Sequence, residues 1–208
     1  MRKARLVAVA AFAAFLQASS GTAQAAEPQI AAAAWCLVGD DGSVLARKAP
    51  GRERAIASIT KLMTAVVALE HAQLADVVRV RSRVSSAGES SASLRIGEEL
   101  SVAELVRAML VPSGNDAAEA LALYVGRGSA DRFDDLMNAK AAELGLSHTN
   151  FENPHGLDEQ GHVSSARDAT TLVRFALGIP FLRDAMSRET VTLPGGRALE
   201  TTNDLLSS

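Results

Sequence analysis

Apolar side chains recur at three- and four-residue steps in five stretches of this chain, and each stretch predicts an amphipathic helix. The first runs from about Ser58 to Ala72 with Ile59, Leu62, Met63, Val66 and Leu69 on one stripe. A second is opened by Ser101 with Glu104, a capping-box pair, and carries Val102, Leu105, Val106, Met109 and Leu110. Pro112 to Asn115 then turns the chain, and Ala117 to Tyr124 resumes helix. Ser129 caps a fourth helix with Phe133, Leu136, Met137 and Leu144 inward, ended by Gly145. Ser165 with Asp168 caps a fifth, running through Leu172, Val173 and Leu177 to Gly178 before Pro180. Between the first two helices the period changes to two. Arg79, Arg81 and Arg83 alternate with Val78, Val80 and Val84, which predicts a strand with one solvated basic face; contact with an anionic polymer is the alternative reading of those arginines.

Composition narrows the setting. Met1-Arg2-Lys3-Ala4-Arg5 is basic, Leu6 to Leu16 is an apolar run of 11 residues, and Ala23-Gln24-Ala25 is a small-residue cleavage site. Residues 1–25 therefore read as a secretory signal peptide, too short to span a membrane, and the product as exported, periplasmic or wall-associated. Removing them takes away three positive charges and no acidic ones, which moves the formal net charge from −3 to −6. An acidic mature chain argues against nucleic acid as a partner. Residues 26–208, about 183 positions, suit one domain with a sizeable core. Cys36 is the one cysteine, so no internal disulfide is possible, and its apolar neighbours predict a buried thiol.

Candidate chemistry lies at two turns. In Ala57-Ser58-Ile59-Thr60-Lys61, a hydroxyl and an amine stand three residues apart at a helix start. Residues at that spacing share a helix face, so the Lys61 amine can reach the Ser58 hydroxyl, and the positive end of the helix dipole favours negative charge on that oxygen. A lysine buried among apolar or cationic groups can lose its proton and serve as base. The same spacing is met by a Ser58 that merely caps the helix and a Lys61 that is solvated. The second turn, Pro112 to Asn115 within Met109-Leu110-Val111-Pro112-Ser113-Gly114-Asn115-Asp116-Ala117-Ala118, puts Ser113 55 positions after Ser58 and can fix a hydroxyl and an amide in a cleft, although its residue types are also the commonest turn formers.

Together the two strings resemble the low-molecular-mass penicillin-binding proteins, the serine D-alanyl-D-alanine carboxypeptidases and endopeptidases of bacterial cell walls. The resemblance extends from about residue 31 to 206. It includes the opening hairpin around Trp35-Cys36-Leu37-Val38 and Gly39 to Ala46, the stretch Met137-Asn138-Ala139-Lys140 with Glu143 to Leu146, the loop Asn153-Pro154-His155-Gly156-Leu157-Asp158, and Ser165-Ala166-Arg167-Asp168. It implies an α+β, β-lactamase/transpeptidase-like fold in which a helical lobe packs on an antiparallel sheet. It further implies that Ser58 is the nucleophile attacking the carbonyl between two D-alanines, Lys61 its general base, Ser113 a proton relay to Lys61 and the leaving amine, and Asn115 the amide that binds the substrate's acyl side. The Ser58 backbone N–H would be one oxyanion-hole donor. Peptidoglycan stem peptides are the implied substrate and β-lactam antibiotics the implied covalent inhibitors, with no cofactor and no metal.

One departure accompanies the match. The family's third motif, Lys-Thr-Gly, should follow shortly after Thr201 to Leu206, and Lys140 is the last lysine before Ser208. That motif holds the substrate's carboxylate, and its strand supplies the second oxyanion donor, whose loss typically costs about 2.7 to 4 kcal/mol of transition-state stabilisation. The expectation is therefore a partial sequence, inactive as it stands and lacking the carboxy-terminal strands; a genuine short relative is the alternative. Peripheral membrane association through a carboxy-terminal region is compatible with the family. A class A-like β-lactamase is a second enzyme reading, opposed by Ser-Gly-Asn where those enzymes have Ser-Asp-Asn. A wall-peptide-binding protein without turnover is the third. His155, Asp158 and His162 lack the helical spacing of a metal site and read as structural loop residues.

Overall fold

The computed structural model describes residues 30–81, 90–204 and 206; the signal-peptide reading of 1–25, and Arg83 and Val84 of the basic strand, fall outside these. From residue 31 onward the described residues belong to one compact unit. In chain order they form strands β1 (Trp35–Val38) and β2 (Val44–Lys48), a 3₁₀ turn (Ala57–Ile59), helix α1 (Thr60–His71), strands β3 (Val77–Arg79) and β4 (Glu99–Ser101), helices α2 (Val102–Leu110), α3 (Asn115–Val125), α4 (Ala130–Glu143), α5 (Ala166–Leu177) and α6 (Pro180–Met186), and strands β5 (Thr190–Leu193) and β6 (Arg197–Glu200).

The strands pair as three antiparallel ladders, β1 with β2, β3 with β4 and β5 with β6. The expected sheet beside the helical lobe is represented by β1–β2, which packs on α5. With one face covered, the hairpin leaves Leu37, Val44 and Leu45 exposed, and Cys36 is half-buried rather than the buried thiol expected. The β5–β6 hairpin, turned by Gly195 and Gly196 at positive φ, had no counterpart in the sequence reading.

Helix α1 sits between two apolar clusters and feeds both. Ala65, Val66 and Ala68 join Leu105, Val106, Met109 and Leu121 from α2 and α3 in one. Met63 and Val67 join Phe133, Met137, Phe151 and Leu172 in the other. A helix covered from both sides has no solvent face over most of its length, so Thr60, Lys61 and Thr64 are buried together with the apolar stripe. This is why α1 can hold functional polar groups in fixed positions. Its neighbour α2 opens on the expected capping box, with Ser101 Oγ accepting from the Glu104 N–H and Glu104 Oε2 accepting from the Ser101 N–H at 2.7 Å.

Candidate active site

The segment before α1 does not enter the helix directly. Ala57 takes a positive φ of 46°, a conformation unfavourable for a residue with a Cβ, and Ser58 follows in the 3₁₀ turn rather than in the first α-helical turn. Ser58 is exposed, whereas Lys61, one turn on, is 2% exposed. The Lys61 Nζ lies 3.1 Å from Ser58 Oγ and donates to the His155 carbonyl oxygen at 2.7 Å.

That carbonyl belongs to a loop strapped along the polar side of α1. Thr64 Oγ1 donates to the Pro154 carbonyl at 2.6 Å, and Thr60 Oγ1 is 2.7 Å from His162 Nε2. The Glu152 N–H donates to His162 Nδ1 at 3.0 Å, so the hydrogen of the neutral ring is on Nε2, which donates to Thr60. Burial holds the His162 pKa below its usual range. Both ring nitrogens are thus committed, and the histidine acts as a clamp. Buried Asn153 closes the turn inside this loop, accepting from the Gly156 N–H at 2.7 Å and donating to the Leu157 carbonyl at 2.9 Å. Gly156, at φ 89°, presses on the Ala57 backbone so closely that any Cβ would collide with it. The unusual backbone at Ala57 is held in place from across the site.

The second turn joins α2 to α3. Ser113 has a φ of 62° and donates from Oγ to Ser58 Oγ at 2.9 Å. Gly114 is required beside it, because a Cβ there would stand 2.6 Å from the Ala108 carbonyl oxygen. Asp116 secures the turn from behind, accepting from Ser91 Oγ and from the N–H groups of Ala92 and Leu94 at 2.7 to 2.9 Å. Asn115, 6% exposed, opens α3 and donates its backbone N–H to the Ser90 carbonyl at 3.0 Å. Ser58, Lys61 and Ser113 line a cleft of about 380 Å³ together with Met109, Arg188 and Thr202; Asn115 does not line it. The Thr202 N–H reaches the Val111 carbonyl at 3.2 Å, which carries the chain after β6 against the α2–α3 turn.

Two positions at positive φ on non-glycine residues therefore flank one hydroxyl, and strain of this kind persists where surrounding contacts over-determine it. The 2.9 to 3.1 Å separations form a continuous hydroxyl–hydroxyl and hydroxyl–amine chain, within reach for proton transfer. Spacing in the sequence located Ser58, Lys61 and Ser113. It did not locate the His155 carbonyl, Gly156, Thr60 or Arg188; the threonines at 60 and 64, four residues apart and so on one helix face, were the available hint of a buried polar face.

A mixed fold built around a Ser-x-x-Lys turn with an exposed serine and a buried lysine is the transpeptidase-like architecture of the penicillin-binding proteins. Penicillin-binding protein 6B from Escherichia coli superposes with a TM-score of 0.80 at 34% identity, covering 87% of this chain and 61% of that one. The chain belongs to the D-alanyl-D-alanine carboxypeptidase family, whose model matches residues 21–181. Among curated relatives, D-alanyl-D-alanine carboxypeptidase DacF of Bacillus subtilis is 40% identical over 140 residues, 65% of this chain and 36% of the relative. DacC of Escherichia coli is 39% identical over 182 residues, 79% of this chain and 45% of the relative. The chain thus spans less than half the length of these two curated relatives.

Proposed function

We propose that this protein is an exported serine-type D-alanyl-D-alanine peptidase acting on peptidoglycan stem peptides through an acyl-enzyme on Ser58, and that penicillins acylate the same oxygen. The observation that carries this reading is the placement of Ser58 Oγ between Lys61 Nζ and Ser113 Oγ in an open cleft. The unprotonated Lys61 amine takes the Ser58 proton as Oγ bonds to the substrate carbonyl carbon, and the carbonyl oxygen becomes an oxyanion facing the Ser58 N–H. Collapse of that intermediate breaks the carbon–nitrogen bond. The proton held by Lys61 passes through Ser113 to the departing amine, and water later cleaves the ester. In this scheme the His155 carbonyl fixes where the Lys61 amine points, and the role of Asn115 on the acyl side of the substrate rests on the family resemblance, since its buried position at the start of α3 keeps it off the cleft lining.

Incubation of the full-length protein with fluorescent penicillin, followed by intact-mass measurement, tests the assignment. A single stoichiometric adduct, absent in Ser58→Ala and slowed by about two orders of magnitude or more in Lys61→Ala, is the expected result. A well-folded protein that forms no adduct, or an adduct that survives in Ser58→Ala, would overturn it.

A further inference from the structure

We propose that the cavity between β3 and the carboxy-terminal end of α3 is a phosphate-binding site, separate from the cleft around Ser58. It encloses about 300 Å³, and Arg79, Arg81 and Arg127 line it along with Tyr124. Three arginines around one small cavity are unusual in a chain of net charge −3, and none of their guanidiniums has an ion-pair or hydrogen-bond partner among the described residues. The basic alternation read in the sequence is therefore only partly a solvated strand face: Arg79 and Arg81, two residues apart, turn to the same side, and α3 brings Arg127 to meet them.

The backbone of Arg127 adds an independent observation. It sits at φ 56°, just past the end of α3 and before Gly128 at φ 91°, a place where glycine or asparagine is the usual occupant. An arginine kept there at a conformational cost lines the cavity. Each guanidinium offers five N–H donors in a planar fork, so three of them exceed what a carboxylate with two oxygens can accept and suit the greater acceptor capacity of a phosphate group. Two features work against an anion: Asp76 lies near Tyr124, and Glu99 is the cross-strand neighbour of Arg79. The last carbonyls of α3 also direct their dipoles this way. The three cations outnumber those acids. Helix α3, 11 residues long, starts beside the α2–α3 turn and ends at the cavity, which puts the site roughly 15 Å from the cleft, at 1.5 Å per residue. A phosphate-bearing ligand could thus occupy it while the cleft is engaged.

Calorimetric titration of the full-length protein with inorganic phosphate at about 20 mM ionic strength, where screening is weak, tests the proposal. Saturable binding is expected, weakened at least about tenfold in Arg79→Gln/Arg81→Gln and in Arg127→Gly, and kept in Arg52→Gln, an exposed arginine outside the cavity. Arg127→Gly removes the charge while relieving the backbone, so an unchanged or higher melting temperature with lost binding separates ligand recognition from folding. Co-sedimentation with phosphatidylglycerol vesicles, using phosphatidylcholine vesicles as reference, distinguishes the source of the phosphate. Arginine-dependent vesicle binding without binding of the free ion assigns a lipid headgroup, and binding of the free ion alone assigns a soluble ligand. Absence of both, or binding indifferent to all three arginines, overturns the proposal.

Discussion

A methyl group added to Gly156 would run into the Ala57 carbonyl, and the positive φ at Gly156 offers the new side chain no alternative direction. Neither neighbour can yield cheaply, because Ala57 precedes Ser58 directly and Gly156 is bound by Asn153. Displacements of about 1 Å in a reacting group can lower rates by about 10²-fold. Gly156→Ala is therefore expected to slow penicillin acylation by roughly that factor, whereas Gly195→Ala, at a similar φ but with nothing within 4 Å, should leave the rate unchanged. Comparing the two acylation rate constants checks this, and equal rates in both variants would refute the coupling of Gly156 to the Ser58 turn. At this scale the legible part of the site was what lies close in sequence. Ser58 and Lys61 share one turn, and Ser113 was conspicuous in a Pro-Ser-Gly-Asn string. The His155 carbonyl was not legible, because a backbone oxygen 94 positions from Lys61 carries no residue-type signal.

Between elements, one side chain joins three helices. Lys140 of α4 is 7% exposed and pairs with Glu70 of α1 at 2.6 Å and with Glu143 at 2.9 Å, while its Nζ lies 4.9 Å from the centre of the Phe175 ring of α5. The hydrogen bond that Lys140 donates to Glu70 raises the lysine's pKa and outweighs the effect of burial. Removing the cation from a buried pair is costly, but Glu70 and Glu143 keep enough solvent contact to be rehydrated, which places Lys140→Met at about 1 to 2 kcal/mol of lost stability. A denaturation cycle with Glu70→Leu should return a coupling of about 1 kcal/mol, and a coupling near zero would show that the pair contributes nothing. Helix boundaries and caps were largely readable: Ser101, Ser129 and Ser165 all accept from an N–H three residues on. What those caps do beyond the helix was not readable. The Asp168 N–H donates to Ser165 Oγ as the cap requires, while its carboxylate accepts from the His148 N–H at 2.7 Å and from Thr149 Oγ1 at 2.9 Å, tying α5 to the preceding loop. Leu177, the last apolar residue of the fifth stretch, is 41% exposed, since Ala176 takes the inward position at the last turn.

Over the whole molecule, negative charge from several elements converges on Asp134 of α4. Burial, then Asp131, Glu119, Glu159 and Glu152, push its carboxyl up to about 7, and its Oδ1 is buried without a partner among the described residues. The unfolded chain releases this proton near 3.8 while the folded chain retains it, so the contribution of this group to stability falls as pH rises from about 4 to about 7 and is constant above. His162, whose pKa is lowered from 6.5, has the opposite effect, with its contribution full above 6.5 and lost as pH falls from there through the lower folded value. Asp134→Asn isolates the first effect. Allowing for solvent screening of a half-exposed group, it should add about 1 kcal/mol at pH 8, or 2 to 4 °C in melting temperature, and nothing at pH 4. A gain independent of pH would exclude Asp134 as its source. The fold class was legible because long helices with explicit caps declare themselves, whereas β5–β6 is a short hairpin whose Arg197 and Glu200 interrupt any clear alternation. A further consequence follows from how far apart the parts of the Ser58 site are made. At ribosomal rates of about 5 to 20 residues per second, Gly156 emerges roughly 5 to 20 s after Ser58. During that interval the Ser58 turn lacks the strap that shapes it, so the geometry of the site is a late product of folding, and under the proposed function acylation by a penicillin would serve as a clock for the docking of the 152–162 loop.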